Sequence, residues 1–153
     1  MSLREKISSE LKTAMKARDT TRLATLRLIN AAIKDREIAA RGEERAESEL
    51  SDADLTAVLT RMVKQRRDSA RAYEEAARLD LAETEIAEIA VIESFLPRQL
   101  DEAEMEQAIA TVIAKTGATS VRDIGKVMAT LKSRYAGQMD FGKAGAMVKA
   151  RLA

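Results

Sequence analysis

Apolar residues in this chain recur at intervals of three and four and never alternate over a convincing length, so the pattern predicts helices throughout. Leu3, Ile7, Leu11 and Met15 mark one face of a first amphipathic helix, from Leu3 to Ala17. Asp19 is placed to cap a second, from Thr20 to about Ala40. Its Leu26, Ile29 and Ile33 share one face while Leu28 and Ala32 lie on another, so it reads as the central helix. Residues 41–50 lose the periodicity, contain Gly42 and read as a polar loop. Ser51 and Asp54 have capping-box spacing for a long third helix to about Ala77. Asp80 and Glu83 repeat that spacing for a fourth, ending near Phe95.

Pro97, the only proline, disfavours helical geometry at the residue before it and marks a seam. It divides a four-helix domain, residues 1–97, from a three-helix domain, residues 98–153. In the second domain Asp101 and Glu104 open a fifth helix, with Met105, Ile109, Val112 and Ile113 inward and Gly117 as its stop. Ser120 and Asp123 open a sixth, with Ile124, Val127, Met128, Leu131 and Tyr135 on one stripe and Gly137 beyond it. Asp140 caps a seventh with Phe141, Ala144, Val148 and Leu152 inward. The predicted fold class is all-α.

Composition narrows the chemistry. Histidine and cysteine are both absent, which excludes disulfides, thiolate or imidazole metal sites, and Ser-His or Cys-His relays. Gly142-Lys143-Ala144-Gly145 lacks the spacing, the Lys-Ser/Thr ending and the preceding strand of a phosphate loop, so no cofactor or metal is expected. The first residues are charged and no apolar run reaches membrane-spanning length, which predicts a cytoplasmic protein. Net charge is only +1, but from Lys115 onward eight basic residues face only Asp123 and Asp140, a balance suited to an anionic partner.

Helical rotation of about 100° per residue puts Leu55, Leu59, Met62, Ala70 and Tyr73 on one stripe of the third helix, with Arg66 in its middle. On the fourth, Leu81, Ile89, Ile92 and Leu96 form a stripe with Glu85 at its centre and Glu88 at its edge. If the two helices form an antiparallel hairpin, Arg66 and Glu85 meet, either as an active-site charge cluster or as an ion pair that fixes register. Lys64, Arg67, Arg71 and Arg78 form a second, outward row interleaved with Asp68, Glu74 and Glu75, the composition of intrahelical ion pairs. Gly125 and Gly145 sit inside predicted helices, where each costs about 1 kcal/mol relative to alanine. Close helix crossing is the expectation at Gly145, and close approach of an RNA backbone at Gly125, beside Lys126.

Lys64-Gln65-Arg66 with Asp68-Ser69, Tyr73, Arg78-Leu79-Asp80-Leu81-Ala82, Glu85, Glu88 and Phe95-Leu96-Pro97-Arg98-Gln99-Leu100 together resemble the YqeY family. Met15-Lys16-Ala17-Arg18-Asp19 and Leu23-Ala24-Thr25-Leu26-Arg27-Leu28 extend the likeness to the first hairpin. Gly125-Lys126-Val127-Met128, Gly137 and Val148-Lys149 resemble the tail that YqeY proteins share with the GatB component of the tRNA-dependent amidotransferase. The chain departs from that tail at Met139, where the family has a small residue, and at Phe141, inserted before Gly142.

The resemblance implies a four-helix domain followed by a three-helix tail. In the amidotransferase the related tail helps to hold tRNA while other components perform the chemistry. The implied function is a non-catalytic tRNA-binding or tRNA-associated accessory protein, with Lys126, Lys132, Arg134 and Lys143 contacting phosphates. The alternatives are a helical protein–protein adaptor, or a component contributing to glutamine-dependent carbon–nitrogen ligase activity in an amidotransferase complex.

Overall fold

The computed structural model describes residues 2–42 and 50–153, so most of the predicted 41–50 loop lies outside the described residues. Among the described residues there are seven α-helices and no strand: α1 (Leu3–Ala17), α2 (Thr20–Ala40), α3 (Asp52–Glu75), α4 (Leu79–Glu93), α5 (Glu102–Thr116), α6 (Ile124–Arg134) and α7 (Phe141–Leu152). The protein is all-α. It divides into two compact units, Met1–Leu96 and Pro97–Ala153.

Local capping sets most helix starts. Asp19 accepts from the Arg22 N–H, and Ser51 with Asp54 and Asp101 with Glu104 form reciprocal boxes at α3 and α5. Two starts differ from the expectation. Asp80 and Glu83 form no box, because Arg78 occupies the N-cap of α4 and Asp80 sits within its first turn, paired to Arg78. Ser120 and Asp123 do form a box, but it closes a single 3₁₀ turn, Val121–Asp123, and α6 starts only after it.

The first unit buries Ile7 and Ala14 of α1, Leu26, Ile29 and Ile33 of α2, Leu55, Leu59, Met62 and Val63 of α3, and Ile92 with Phe95 after it. α2 packs against α1, α3 and α4, and α3 against α4 is the most extensive pairing. Met15 is not part of this core; it is 54% exposed and Ala14 is buried in its place. Steps of four residues drift by about 40° each, so Met15 has rotated off the face of Ile7, whereas a seven-residue step returns to it. Leu28, expected on a second covered face of α2, is likewise exposed.

A left-handed residue closes the α3–α4 turn. Ala77 has φ of 58°, its N–H donates to the Glu74 carbonyl, and the Arg78 N–H reaches the Tyr73 carbonyl at 2.8 Å. That is a Schellman arrangement, and it reverses the chain within three residues so that α4 runs back along α3.

The second unit gathers Met105, Ile109 and Val112 of α5, Val127 and Leu131 of α6, and Ala144, Val148 and Leu152 of α7. Met139, one of the two departures from the family pattern, is buried in this core, and Phe141 packs partly buried against it. Gln99 and Leu100 anchor the segment that enters the unit: the Gln99 amide donates to the Gly137 carbonyl and the Leu100 N–H to the Gln138 carbonyl. Gly137 takes φ of 74° there, a conformation that suits glycine.

Arg98 completes the anchor through two parallel bonds to Glu104, at 2.9 and 2.6 Å. The Arg98 hydrogen bond, with help from the Asp101 N–H, pushes the Glu104 carboxyl down to about 2 from its ordinary 4.5. A carboxyl depressed in the folded state stabilises it above the unfolded value and loses that contribution as pH falls. Thermal midpoints of the second unit are therefore expected to lose stability between about pH 4.5 and pH 2. Glu104→Gln is expected to remove that share of the acid response, and identical acid curves for the two proteins would refute it.

Candidate nucleic-acid interface

All eight basic residues from Lys115 onward (Lys115, Arg122, Lys126, Lys132, Arg134, Lys143, Lys149 and Arg151) are exposed. The two acids of the same stretch are both drawn into caps. Asp123 accepts from the Thr119 and Ser120 N–H groups, and these bonds hold its carboxyl below the usual range. Asp140 accepts from the Gly142 and Lys143 N–H groups at the start of α7. The carboxylates are thus tied to the backbone while the cations project outward.

On α6 the buried residues are Val127 and Leu131. By helical rotation Lys126 and Lys132 lie about 120° to either side of that seam, and Arg134 about 40° from it on the side of Lys126. The three cations fan around the exposed surface instead of converging on one point. Lys143 belongs to the first turn of α7 and its Nζ lies 4.0 Å from a Glu102 oxygen, so one of the four expected contacts already faces a carboxylate. Two clefts of the unit, one of about 310 Å³ beside Ile109 and Met147 and one of about 220 Å³ beside Leu100 and Tyr135, include none of the four.

Gly125 is exposed, and a methyl group added there meets nothing within 4 Å. Gly145 would meet only the flexible end of Met128, at 3.8 Å. The close crossing expected at Gly145 is absent, because the Met128 side chain, not a backbone, is what faces it. Neither glycine is required by packing among the described residues.

Arg66 is correctly placed inward but its partner is Glu88, not Glu85: Nε to Oε2 is 2.8 Å, with a second bond from Nη1 to the Met62 carbonyl. Glu85 is half-buried and makes no ion pair with a described residue. The reason is the turn. Arg66 and Glu88 stand equally far from Ala77, and two antiparallel helices of equal rise bring such residues level, whereas Glu85 stops about 4.5 Å short. Arg67 adds a second rung to Glu93 at 3.1 Å, and Arg78 pairs with Asp80. The outward row is thus largely used in ion pairs.

Thr25 is the only buried polar side chain among the described residues, and its hydroxyl donates to the Thr21 carbonyl. No group of three or more acids among the described residues is arranged to hold a metal ion. No described helix is long and apolar enough to cross a membrane. What the exposed groups can do chemically is recognise charge.

A two-unit helical protein with a basic tail is the class these observations define. The family profile described as Yqey-like protein matches residues 4–152, and the chain belongs to the YqeY-like family. Two similar proteins both carry the name altered inheritance of mitochondria protein 41, mitochondrial. The one from Lachancea thermotolerans is 31% identical over 111 residues, 71% of this chain and 57% of its own length. The one from Clavispora lusitaniae is 41% identical over 101 residues, 64% of this chain and 55% of its own. This chain therefore spans little more than half of each relative.

Proposed function

We propose that the protein is a non-catalytic accessory factor that holds tRNA, or RNA of similar structure, through the cations of its C-terminal unit. The observation that carries this reading is the charge of the stretch from Lys115 onward: eight exposed cations, against two carboxylates that both accept capping N–H groups. The likeness of the tail to that of the amidotransferase GatB component supports it, as does the open surface at Gly125. A cytoplasmic location is part of this proposal; the mitochondrial designation belongs to the two relatives.

A few phosphate contacts give modest, salt-sensitive affinity, with a dissociation constant of about 1–100 μM. Titration of bulk tRNA at low salt tests this with the quadruple variant Lys126→Glu, Lys132→Glu, Arg134→Glu, Lys143→Glu. Affinity is expected to fall at least about tenfold and the salt dependence to flatten. Absence of binding by the parent protein, or unchanged binding by the variant, defeats the proposal.

One observation favours the adaptor reading. On α4, Leu79 and Ile86 are 63% and 51% exposed, and of its five acids Glu83 and Glu85 are not paired to the arginines at positions 66, 67 and 78. Such a ridge suits a partner helix with apolar residues edged by Lys and Arg. Proteins that stay captured after nuclease treatment, and are lost on Leu79→Ser with Ile86→Ser, support this second role; capture that depends on RNA returns to the first.

A further inference from the structure

We infer that α2 of the N-terminal unit carries a second RNA-binding face, formed by Arg27, Lys34 and Arg41 and the cleft beside them, that takes the phosphodiester backbone of single-stranded RNA. This inference rests on the RNA reading above but uses a different surface.

The three cations recur at i, i+7 and i+14, which places them on one line along α2 over about 21 Å. All three are exposed, and none forms an ion pair with a described residue. Of the other arginines of the unit, Arg22, Arg66, Arg67 and Arg78 are answered by Glu10, Glu88, Glu93 and Asp80, whereas Arg18, Arg61 and Arg71 form no ion pair with a described residue and share no such line. On α2 the natural partner is Glu37, three residues after Lys34 and four before Arg41, at the spacing of intrahelical pairs. Glu37 is engaged instead by Arg4 of α1. Arg27 has no acid three or four residues away on either side. Among the described residues the stripe is therefore left positive by the packing of α1 against α2.

Beside its C-terminal half lies a cleft of about 280 Å³, edged by Arg4, Asn30, Lys34, Glu37, Ile38 and Arg41, with Ile33 as its floor. Its one carboxylate is the one paired to Arg4. Asn30 offers an amide donor and acceptor, and Ile38, 53% exposed, offers an apolar surface on which a base can rest. Cations in line with a polar amide and an apolar platform are what an unpaired strand presents phosphates and bases to. A membrane surface fits less well. The apolar side of α2, Leu26, Ile29 and Ile33, is buried in the core, and its large exposed apolar residues, Leu28 and Ile38, stand ten residues apart, so the helix has no continuous wedge to insert.

The test is anisotropy of a fluorescein-labelled single-stranded RNA oligonucleotide with four forms of the full chain. These are the parent, the α2 variant Arg27→Glu, Lys34→Glu, Arg41→Glu, the quadruple tail variant, and their combination. Circular dichroism confirms that each is folded. The α2 variant is expected to bind at least about fivefold more weakly, with the slope of log affinity against log salt reduced by about 2, as three lost contacts to a single strand require. The charge-preserving Arg27→Lys, Lys34→Arg, Arg41→Lys is expected to retain affinity.

If the α2 variant binds like the parent while the tail variant does not, the inference falls and the proposed function stands. If the α2 variant loses binding and the tail variant does not, the inference stands, and the tail assignment is decided by the tRNA titration above. If the parent binds no RNA, both fall. Vesicles containing phosphatidylserine form the remaining arm: loss of vesicle binding with RNA binding unchanged makes the face a lipid surface and overturns the inference.

Discussion

Glu88→Leu is expected to destabilise the N-terminal unit by about 2–3 kcal/mol, whereas Arg66→Met with Glu88→Leu restores most of that loss. Arg66 and Glu88 retain only 15% and 21% side-chain exposure, so the pair lies between a surface bridge, worth about 0–1 kcal/mol, and a fully buried one. Removing the carboxylate alone leaves a largely buried guanidinium with only the Met62 carbonyl as partner. Removing both leaves methionine and leucine of comparable volume in the same sheltered positions, with no charge to satisfy. Urea unfolding of the two single variants and the double variant forms a cycle whose coupling term isolates the pair. Glu85→Leu is the control and is expected to change stability by no more than about 0.5 kcal/mol. A larger loss at Glu85 than at Glu88 would reverse the assignment.

That contrast also shows how far sequence reasoning carries. An arginine in the middle of an apolar stripe announces a buried charge, and rotation alone finds it. Which carboxylate answers it depends on where the chain turns, and the turn rests on Ala77, a residue with no turn signature. Helix starts were legible where the cap is local, as at Asp19, Ser51 with Asp54, and Asp101 with Glu104. The same spacing at Asp80 and Glu83 was misleading because the tight turn before it leaves Arg78 at the cap. Met15 and Ala14 show the limit of four-residue counting over three turns of helix.

The basic end was legible as composition, but its exposure depends on Asp123 and Asp140 being held by backbone N–H groups. The stripe on α2 stands in the sequence at heptad spacing. It is inconspicuous there because Glu37 reads as its intrahelical partner, and only the packing of α1 against α2 assigns that carboxylate to Arg4. Charge patterns along a helix can be counted; which charges remain unanswered is a tertiary property.

The same distinction governs the second large effect. Ile109→Ala is expected to unfold the C-terminal unit while leaving the N-terminal one folded. Ile109 is fully buried among Met105, Val112, Val127 and Leu131, and its truncation costs about 2–5 kcal/mol. A unit running only from Pro97 to Ala153 buries a small core, and such cores seldom supply more than about 3–5 kcal/mol in all. The N-terminal unit has its own core cluster, with Leu26, Ile29, Leu55, Leu59 and Ile92, and Ile109 belongs to the other cluster. Hydrogen exchange read helix by helix is the measurement: amides of α5, α6 and α7 are expected to lose protection while those of α3 keep it. Loss of protection in both units together would show one cooperative structure instead of two. The binding consequence follows from the two surfaces: the variant is expected to lose the tail contribution to tRNA affinity and to keep the contribution of α2, because the cations of α6 are placed by a core that no longer forms.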